Sequence, residues 1–292
     1  MHDTTIIIPT RNRRFLKRNL RYICDNNPYI NIIVLDSSVQ KIKYRNKLLI
    51  NKLDNVTHID HYNEDILLTH KLGDGVSYIN TKYSLICADD DFVVIDGIKK
   101  SLKFLKENKN FICTFGDFTK FRKDFGMFMW KKMYPHQRTI DNDSESIRFH
   151  DILSNYMQVV YSLYRSEYIK KILKLVPLYT TDDCFGEILQ AVLTVIYGKI
   201  NVSDYLYGVR MPGAGKAPKI PEFKKNNTYN DKYLSFKKCI LDNSNLSSEE
   251  IDSSWNNNIT NDVINNKRYN YIPWNFSIPN KYKELEVIRN YV

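Results

Sequence analysis

Thr5-Ile6-Ile7-Ile8 is an unbroken β-branched run ending at Pro9, with no polar residue to mark a solvated face. Such a run reads as a strand covered on both sides, which is the situation inside a parallel sheet. The pattern repeats along the first third. A helical spacing over Arg13 to Cys24 (Phe15, Leu16, Leu20, Ile23 apolar) is followed by a second strand, Ile30 to Leu35, closing on Asp36-Ser37-Ser38. A helix over Val39 to Leu53, with Ile42, Leu49 and Leu53 inward, precedes a short strand, Val56 to Ile59. Asp74 to Tyr83 reads as helix, and Ser84 to Ala88 as an apolar strand that stops at three aspartates. Strands alternating with helices of this length require an α/β fold, because parallel neighbours need long crossovers.

Beyond residue 95 the spacing predicts a helix over Gly97 to Asn108 and a strand over Phe111 to Phe115. An irregular aromatic stretch follows over 116–143, suited to a sugar-stacking, lid or core role. A strand over Gln158 to Tyr164 and a helix from Ser166 to about Leu175 come next. Thr180-Thr181-Asp182-Asp183 opens the most apolar helix, Phe185 to Tyr197, which Gly198 closes, and a strand over Ile200 to Tyr207 follows. Residues 211–230 hold prolines, glycines and lysines and read as a mobile loop. Ser247-Ser248-Glu249-Glu250 is a capping-box helix start. The division read from this is a first half over 1–115, a second half over 116–215, and a loop and C-terminal extension over 216–292 that packs on them.

Composition narrows the function classes. The 292 residues carry 43 Lys and Arg against 33 Asp and Glu, a net charge of +10. That balance suits a phosphate-bearing substrate, nucleic acid or an anionic membrane, and charge alone does not choose. The apolar stretch Ile188 to Gly198 is far short of the roughly 20 residues that span a bilayer. With no apolar leader and five scattered cysteines lacking any CxxC pair, a cytoplasmic protein with free thiols is expected. The C-terminal Tyr269, Tyr271, Trp274 and Phe276, beside Lys267, Arg268 and Lys281, raise a peripheral contact with an anionic membrane at its inner face.

Three groups of residues can carry chemistry. Asp89, Asp90 and Asp91 follow a buried strand, at the edge where open α/β sheets bind ligands. Strand alternation puts Asp89 and Asp91 on one side, a hard-oxygen pair suited to Mg²⁺ or Mn²⁺. Pro9-Thr10-Arg11-Asn12-Arg13-Arg14 leaves the first strand with free backbone N–H groups and a basic cluster, a seat for phosphates. Arg18 and Arg21 read as a solvated helix face. Asp182-Asp183 precedes a buried helix, where one acid is a natural cap and the other is available as a base.

These features resemble those of GT-A-fold glycosyltransferases, particularly the inverting family-2-like enzymes. Thr4 to Arg13 looks like their opening strand, Ile33 to Ser38 like the second, and Lys71 to Asp91 like the helix leading to the DxD motif. Asp182-Asp183 resembles their acidic catalytic pair. The resemblance covers about residues 4–210 and implies a mixed α/β sheet flanked by helices. Pro9, Thr10, Arg11, Arg13 and Asp36 would then line a nucleotide-sugar pocket, with Lys71, Asp89 and Asp90 reaching the donor. Asp89 and Asp91 would hold Mn²⁺ or Mg²⁺, and Asp183 would deprotonate a hydroxyl of a glycan or lipid-linked glycan. The last histidine is His150, so the histidine ligand many relatives supply after the base is missing. Arg210 or Lys216 could neutralise the diphosphate instead. A nucleotidyltransferase would want a glycine-rich loop after the first strand, and none is there. A nucleic-acid-binding protein is opposed by the acids at 89–91.

Overall fold

A computed structural model describes residues 1–124, 126–211, 229–258 and 274–292 of the chain. In chain order the first half runs β1 (Thr4–Thr10), α1 (Leu16–Asn26), β2 (Asn31–Asp36), α2 (Gln40–Ile50), β3 (Val56–Ile59), α3 (Leu68–Gly75), β4 (Tyr83–Ile86), β5 (Phe92–Val93) and α4 (Ile95–Glu107). The second half runs β6 (Phe111–Asp124), β7 (Met127–Met133), α5 (Glu145–Ser154), β8 (Leu163–Arg165), α6 (Ser166–Tyr179), α7 (Asp183–Tyr197), β9 (Lys199–Arg210), α8 (Tyr229–Asn243), α9 (Ser248–Ser254) and α10 (Glu284–Arg289).

The strands make one nine-stranded mixed sheet in the order β3-β2-β1-β4-β8-β6-β9-β5, with β7 paired to β6. β3, β2, β1 and β4 are parallel neighbours, and β8 turns the sheet antiparallel. Ile6, Ile7 and Ile8 are completely buried, as the unbroken apolar run requires. Each such side chain contributes about 1.5–3 kcal/mol of transfer free energy. The parallel register pairs Thr10 with Asp36, so β1 and β2 end together, and the Cys87 N–H bonds the Ile7 carbonyl, bringing the chain after β4 to the same edge. Among the described residues no helix is long and apolar enough to cross a membrane.

Several elements differ from the sequence reading. α1 starts at Leu16, so residues 11–15 are connecting loop. α2 buries Lys43, Asn46 and Ile50, while Ile42 and Leu49 stay half-exposed, because Lys43 Nζ donates to the Tyr62 carbonyl and Asn46 to Asp36. The helix expected over Asp74 to Tyr83 is displaced to α3, and Tyr83 instead opens β4. The aromatic stretch after Phe115 is a hairpin: β6 runs on to Asp124 and pairs antiparallel with β7, with Gly126 at φ 79° in the turn. Its Phe118 and Phe121 are core residues, and Phe121 stacks on Phe128. The strand expected over Gln158 to Tyr164 shrinks to β8. α7 ends at Gly198 as expected, but in extended backbone; a Cβ there would meet Ile112 Cγ2 at 2.5 Å.

The C-terminal segments pack on the sheet. Asn275 bridges Trp130, the Tyr282 hydroxyl donates to buried Asp117 at 2.6 Å, and Trp274 lies against the guanidinium of Arg122. The loop expected over 211–230, and with it Lys216, falls almost entirely outside the described residues, as do Lys267, Arg268, Tyr269 and Tyr271.

Candidate active site

The chain leaves β1 through Asn12, held at φ 56°, a left-handed conformation that asparagine tolerates better than most residues. Its backbone N–H donates to Ser38 Oγ at 2.8 Å and its Oδ1 accepts from the Val39 N–H, so the exits of β1 and β2 are stitched together. Arg11 donates to the Glu64 carbonyl and the Asn12 amide to the Glu64 carboxylate. Lys71 of α3, only 4% exposed, donates to the Thr10 carbonyl and to Ser37 Oγ. Burial pulls its ammonium down to about 8, partly countered by Asp36, Asp89 and Asp183.

Asp36 departs from its expected place. It is fully buried, and its oxygens accept from the Ser38 N–H at 2.9 Å, Asn46 at 2.8 Å and His58 at 3.2 Å. Burial pushes its carboxyl up, but these bonds outweigh it and bring it to about 2. Asp36 therefore anchors the Ser37-Ser38 turn, which is buried with it, and presents no free oxygen to a nucleobase; Asn12 is the exposed residue beside the turn.

The three aspartates do not continue the strand. β4 ends at Ile86, and the Asp91 N–H closes a turn on the Ala88 carbonyl. Side-chain alternation is thereby lost, and Asp89 and Asp91 do not share a side as expected. Asp89 accepts from the Thr10 hydroxyl at 2.6 Å and from Arg13 at 3.3 Å, and Asp90 meets the same Arg13 atom at 2.9 Å. Asp91 turns the other way: Arg210 Nε lies 2.5 Å from it, the Tyr161 hydroxyl donates at 2.9 Å, and the Met211 N–H at 3.0 Å. Burial pushes Asp91 up to about 6 despite Arg210; Asp89 is raised for the same reason.

Two residues that the sequence reading passed over hold this turn. Arg18, expected on a solvated face, donates to the Asp90 carbonyl at 2.7 Å and lies over the Phe15 and Phe92 rings. Arg21, by contrast, is exposed, pairs with Asp25 of its own helix and lies over the Tyr291 ring. Buried Asn19 donates to the carbonyls of Ala88 and Asp91. The signal for Asn19 was present: it is a polar residue inside the Leu16-Leu20-Ile23 stripe.

At the opposite wall, Asp182 caps α7 by accepting the N–H groups of Cys184 and Phe185 and pairs with Lys232 at 2.9 Å. Asp183 accepts one bond, from the Thr69 N–H at 3.1 Å, and no ion pair reaches it among the described residues. α3 links the two groups: its Thr69 N–H bonds Asp183, and two residues on its Lys71 bonds the carbonyl of Thr10, whose hydroxyl bonds Asp89.

A divalent ion does not fit this arrangement as it stands. Among the described residues no three His, Cys, Asp or Glu side chains converge. Both oxygens of Asp91 are taken by donors, and Arg13, shared by Asp89 and Asp90, and Arg210, on Asp91, already occupy the carboxylates.

No protein-family model matches the chain, and no curated protein matches it in sequence. The fold, a mixed sheet flanked by helices, is nevertheless shared with solved structures. The particular matches are to TarS of S. aureus. A crystal structure of TarS residues 1–349 in complex with UDP-GlcNAc superposes with a TM-score of 0.59 at 16% identity, over 89% of this chain and 74% of that one. The complex of the same fragment with UDP gives 0.55 at 14%, over 86% and 69%. A longer TarS structure gives 0.56 at 13%, over 86% of this chain, which spans only 42% of that one. At these identities the likeness is one of fold.

Proposed function

We propose that this chain is a glycosyltransferase that moves a sugar from a nucleotide-sugar donor to a hydroxyl of a glycan or lipid-linked glycan, with inversion. The observation that carries this reading is that hydrogen bonds from Thr69 and Lys71 of one helix, α3, tie Asp183 and the Thr10 end of β1 to the same element, which brings a lightly bonded carboxylate near the Thr10–Arg13 exit and Asp89. The glycosyltransferase fold, and the UDP and UDP-GlcNAc bound to the TarS structures, support the same class of donor.

In this reading the nucleoside diphosphate lies against Thr10, Arg11 and Arg13 at the β1 exit, floored by Lys71 and the turn that Asp36 anchors. Asp182 is committed to its cap and to Lys232, so the base is Asp183. Its carboxylate takes the proton of the acceptor hydroxyl as that oxygen bonds the anomeric carbon. The bond from that carbon to the diphosphate breaks with its electron pair leaving on phosphate, and a single displacement inverts the centre. Charge developing on the departing group needs a fixed cation in a site of low polarity. In this reading Arg210, at the end of β9 with 30% of its side chain exposed, supplies that cation. The catalytic unit is residues 1–215, with the C-terminal segments buttressing the β6–β7 hairpin.

Calorimetric titration with UDP, GDP, CDP and dTDP and their sugars tests this. Binding of one nucleotide family, with transfer or slow hydrolysis of its sugar that Asp183→Asn removes, is expected. A protein that binds none of them overturns the reading.

A further inference from the structure

Glu187 stands one helical turn beyond Asp183 on α7, so the two carboxylates share a face. The reaction above does not use it. Its Oε1 accepts from the Tyr156 hydroxyl at 3.0 Å, and the Gln158 side chain bonds it as well. Both partners are neutral. No ion pair reaches Glu187 among the described residues; Arg210 only acts on it through space. Burial pushes its carboxyl above the usual range, yet the residue stays half-buried, with part of its surface open.

A carboxylate wrapped by neutral donors costs the fold desolvation without the return of an ion pair. Its chemistry suits a ligand instead. A carboxylate only accepts, a phenol donates and accepts, and an amide does both. Together they match neighbouring hydroxyls, each of which can donate to Glu187 while accepting from Tyr156 or Gln158. Location points the same way. The transferred sugar must lie near both the base and the cation facing the leaving diphosphate, and Glu187 is one turn from Asp183 on α7 and near enough to Arg210 for that guanidinium to act on its charge.

We propose that Glu187, with Tyr156 and Gln158, holds the hydroxyls of the transferred sugar and selects among its epimers. This deepens the function proposed above and rests on it. The test is calorimetry on wild type, Glu187→Gln and Tyr156→Phe. Each is titrated with the nucleoside diphosphate found in the preceding panel and with paired epimers of its sugar (for uridine, UDP-glucose against UDP-galactose and UDP-GlcNAc against UDP-GalNAc). Wild type is expected to prefer one epimer at least tenfold. Glu187→Gln should reduce that preference below threefold, and Tyr156→Phe should fall between. All three should bind the bare nucleoside diphosphate within twofold of one another and melt cooperatively.

Retention of the tenfold preference in Glu187→Gln overturns the proposal, as does a wild type that binds nucleotide without distinguishing epimers. An equal loss of turnover with every sugar, with a displaced acid limb of the pH profile, would make Glu187 a proton acceptor and also overturn it. A wild type that binds no nucleotide removes the function itself, an outcome distinct from all of these.

Discussion

The molecule holds two clusters of adjacent aspartates that a sequence presents alike, and the fold treats them oppositely. At 89–91 every carboxylate has an arginine: Arg13 lies between Asp89 and Asp90, and Arg210 meets Asp91. At 182–183 one acid is spent on the helix cap and Lys232, while its neighbour, among the described residues, keeps a single backbone bond. A buried, fully paired cluster is built to hold geometry, since removing any partner strands a charge. A lightly bonded carboxylate at a cleft wall is free to take a proton. Adjacent acids are therefore not a functional unit by themselves; their partners decide which one can react.

The sharpest way to break that contrast is Asp183→Asn. Transfer should fall by about a thousandfold or more, roughly 4 kcal/mol of transition-state stabilisation. Nucleotide affinity should stay within twofold by calorimetry. Turnover within tenfold of wild type would show that the lightly bonded acid is not the base. The paired cluster should respond differently. Arg210→Ala should cost about 3 kcal/mol of stability in denaturant melts, because buried Asp91 loses its cation and must stay unpaired or take up a proton. Adding Asp91→Asn should return most of that loss, and transfer should remain about a hundredfold down, as when an electrostatic donor is removed. The same cluster predicts that EDTA leaves wild-type transfer within twofold. Loss with EDTA and recovery with Mn²⁺ would mean that a metal displaces Arg210 from Asp91 when donor binds.

Lys71 senses both clusters, and its pH dependence sharpens the comparison. Its ammonium is lowered to about 8, from an ordinary 10.5, chiefly by burial. Between those values the unfolded chain binds the proton and the folded one does not, so stability rises with pH across that window. Relative to Lys71→Met, wild type should gain up to about 3 kcal/mol between pH 8 and 10.5 in chemical melts. A flat difference would mean that Lys71 keeps its charge through its bonds to Thr10 and Ser37.

What the sequence shows of this site, and what it hides, follows the same division between local and distant partners. β1 and β2 are legible because unbroken apolar runs carry their burial with them. α3 is not: Leu68–Gly75 contains Gly73 and Gly75, poor helix formers, kept helical by packing. A Cβ on Gly73 would meet the Leu173 carbonyl and Pro177 at 2.8 Å, and one on Gly75 would meet Leu35 at 2.3 Å. Tertiary contact overrides propensity there. The identities Thr10, Arg13, Lys71, Asp89, Asp91 and Asp183 were readable, but not what each faces. Asp36 is buried by Asn46 and His58, 10 and 22 residues away, and Asp91 meets an arginine 119 residues on, since 210 − 91 = 119. Such partners have no local signature.

The smallest effect belongs to the other member of the second cluster. Asp182 accepts two N–H groups at the start of α7 and pairs with half-buried Lys232. Loss of an N-cap typically costs about 1 kcal/mol, and a partly exposed ion pair adds little. Asp182→Ala should therefore lower stability by about 1 kcal/mol, while Asp182→Asn, which can still cap, should lower it by less. Transfer should stay within threefold in both, because neither variant touches the carboxylate that takes the proton. A hundredfold loss of transfer in Asp182→Asn without a stability change would reverse the assignment: the capping acid would be the reactive one, and the Thr69 bond would mark Asp183 as its support.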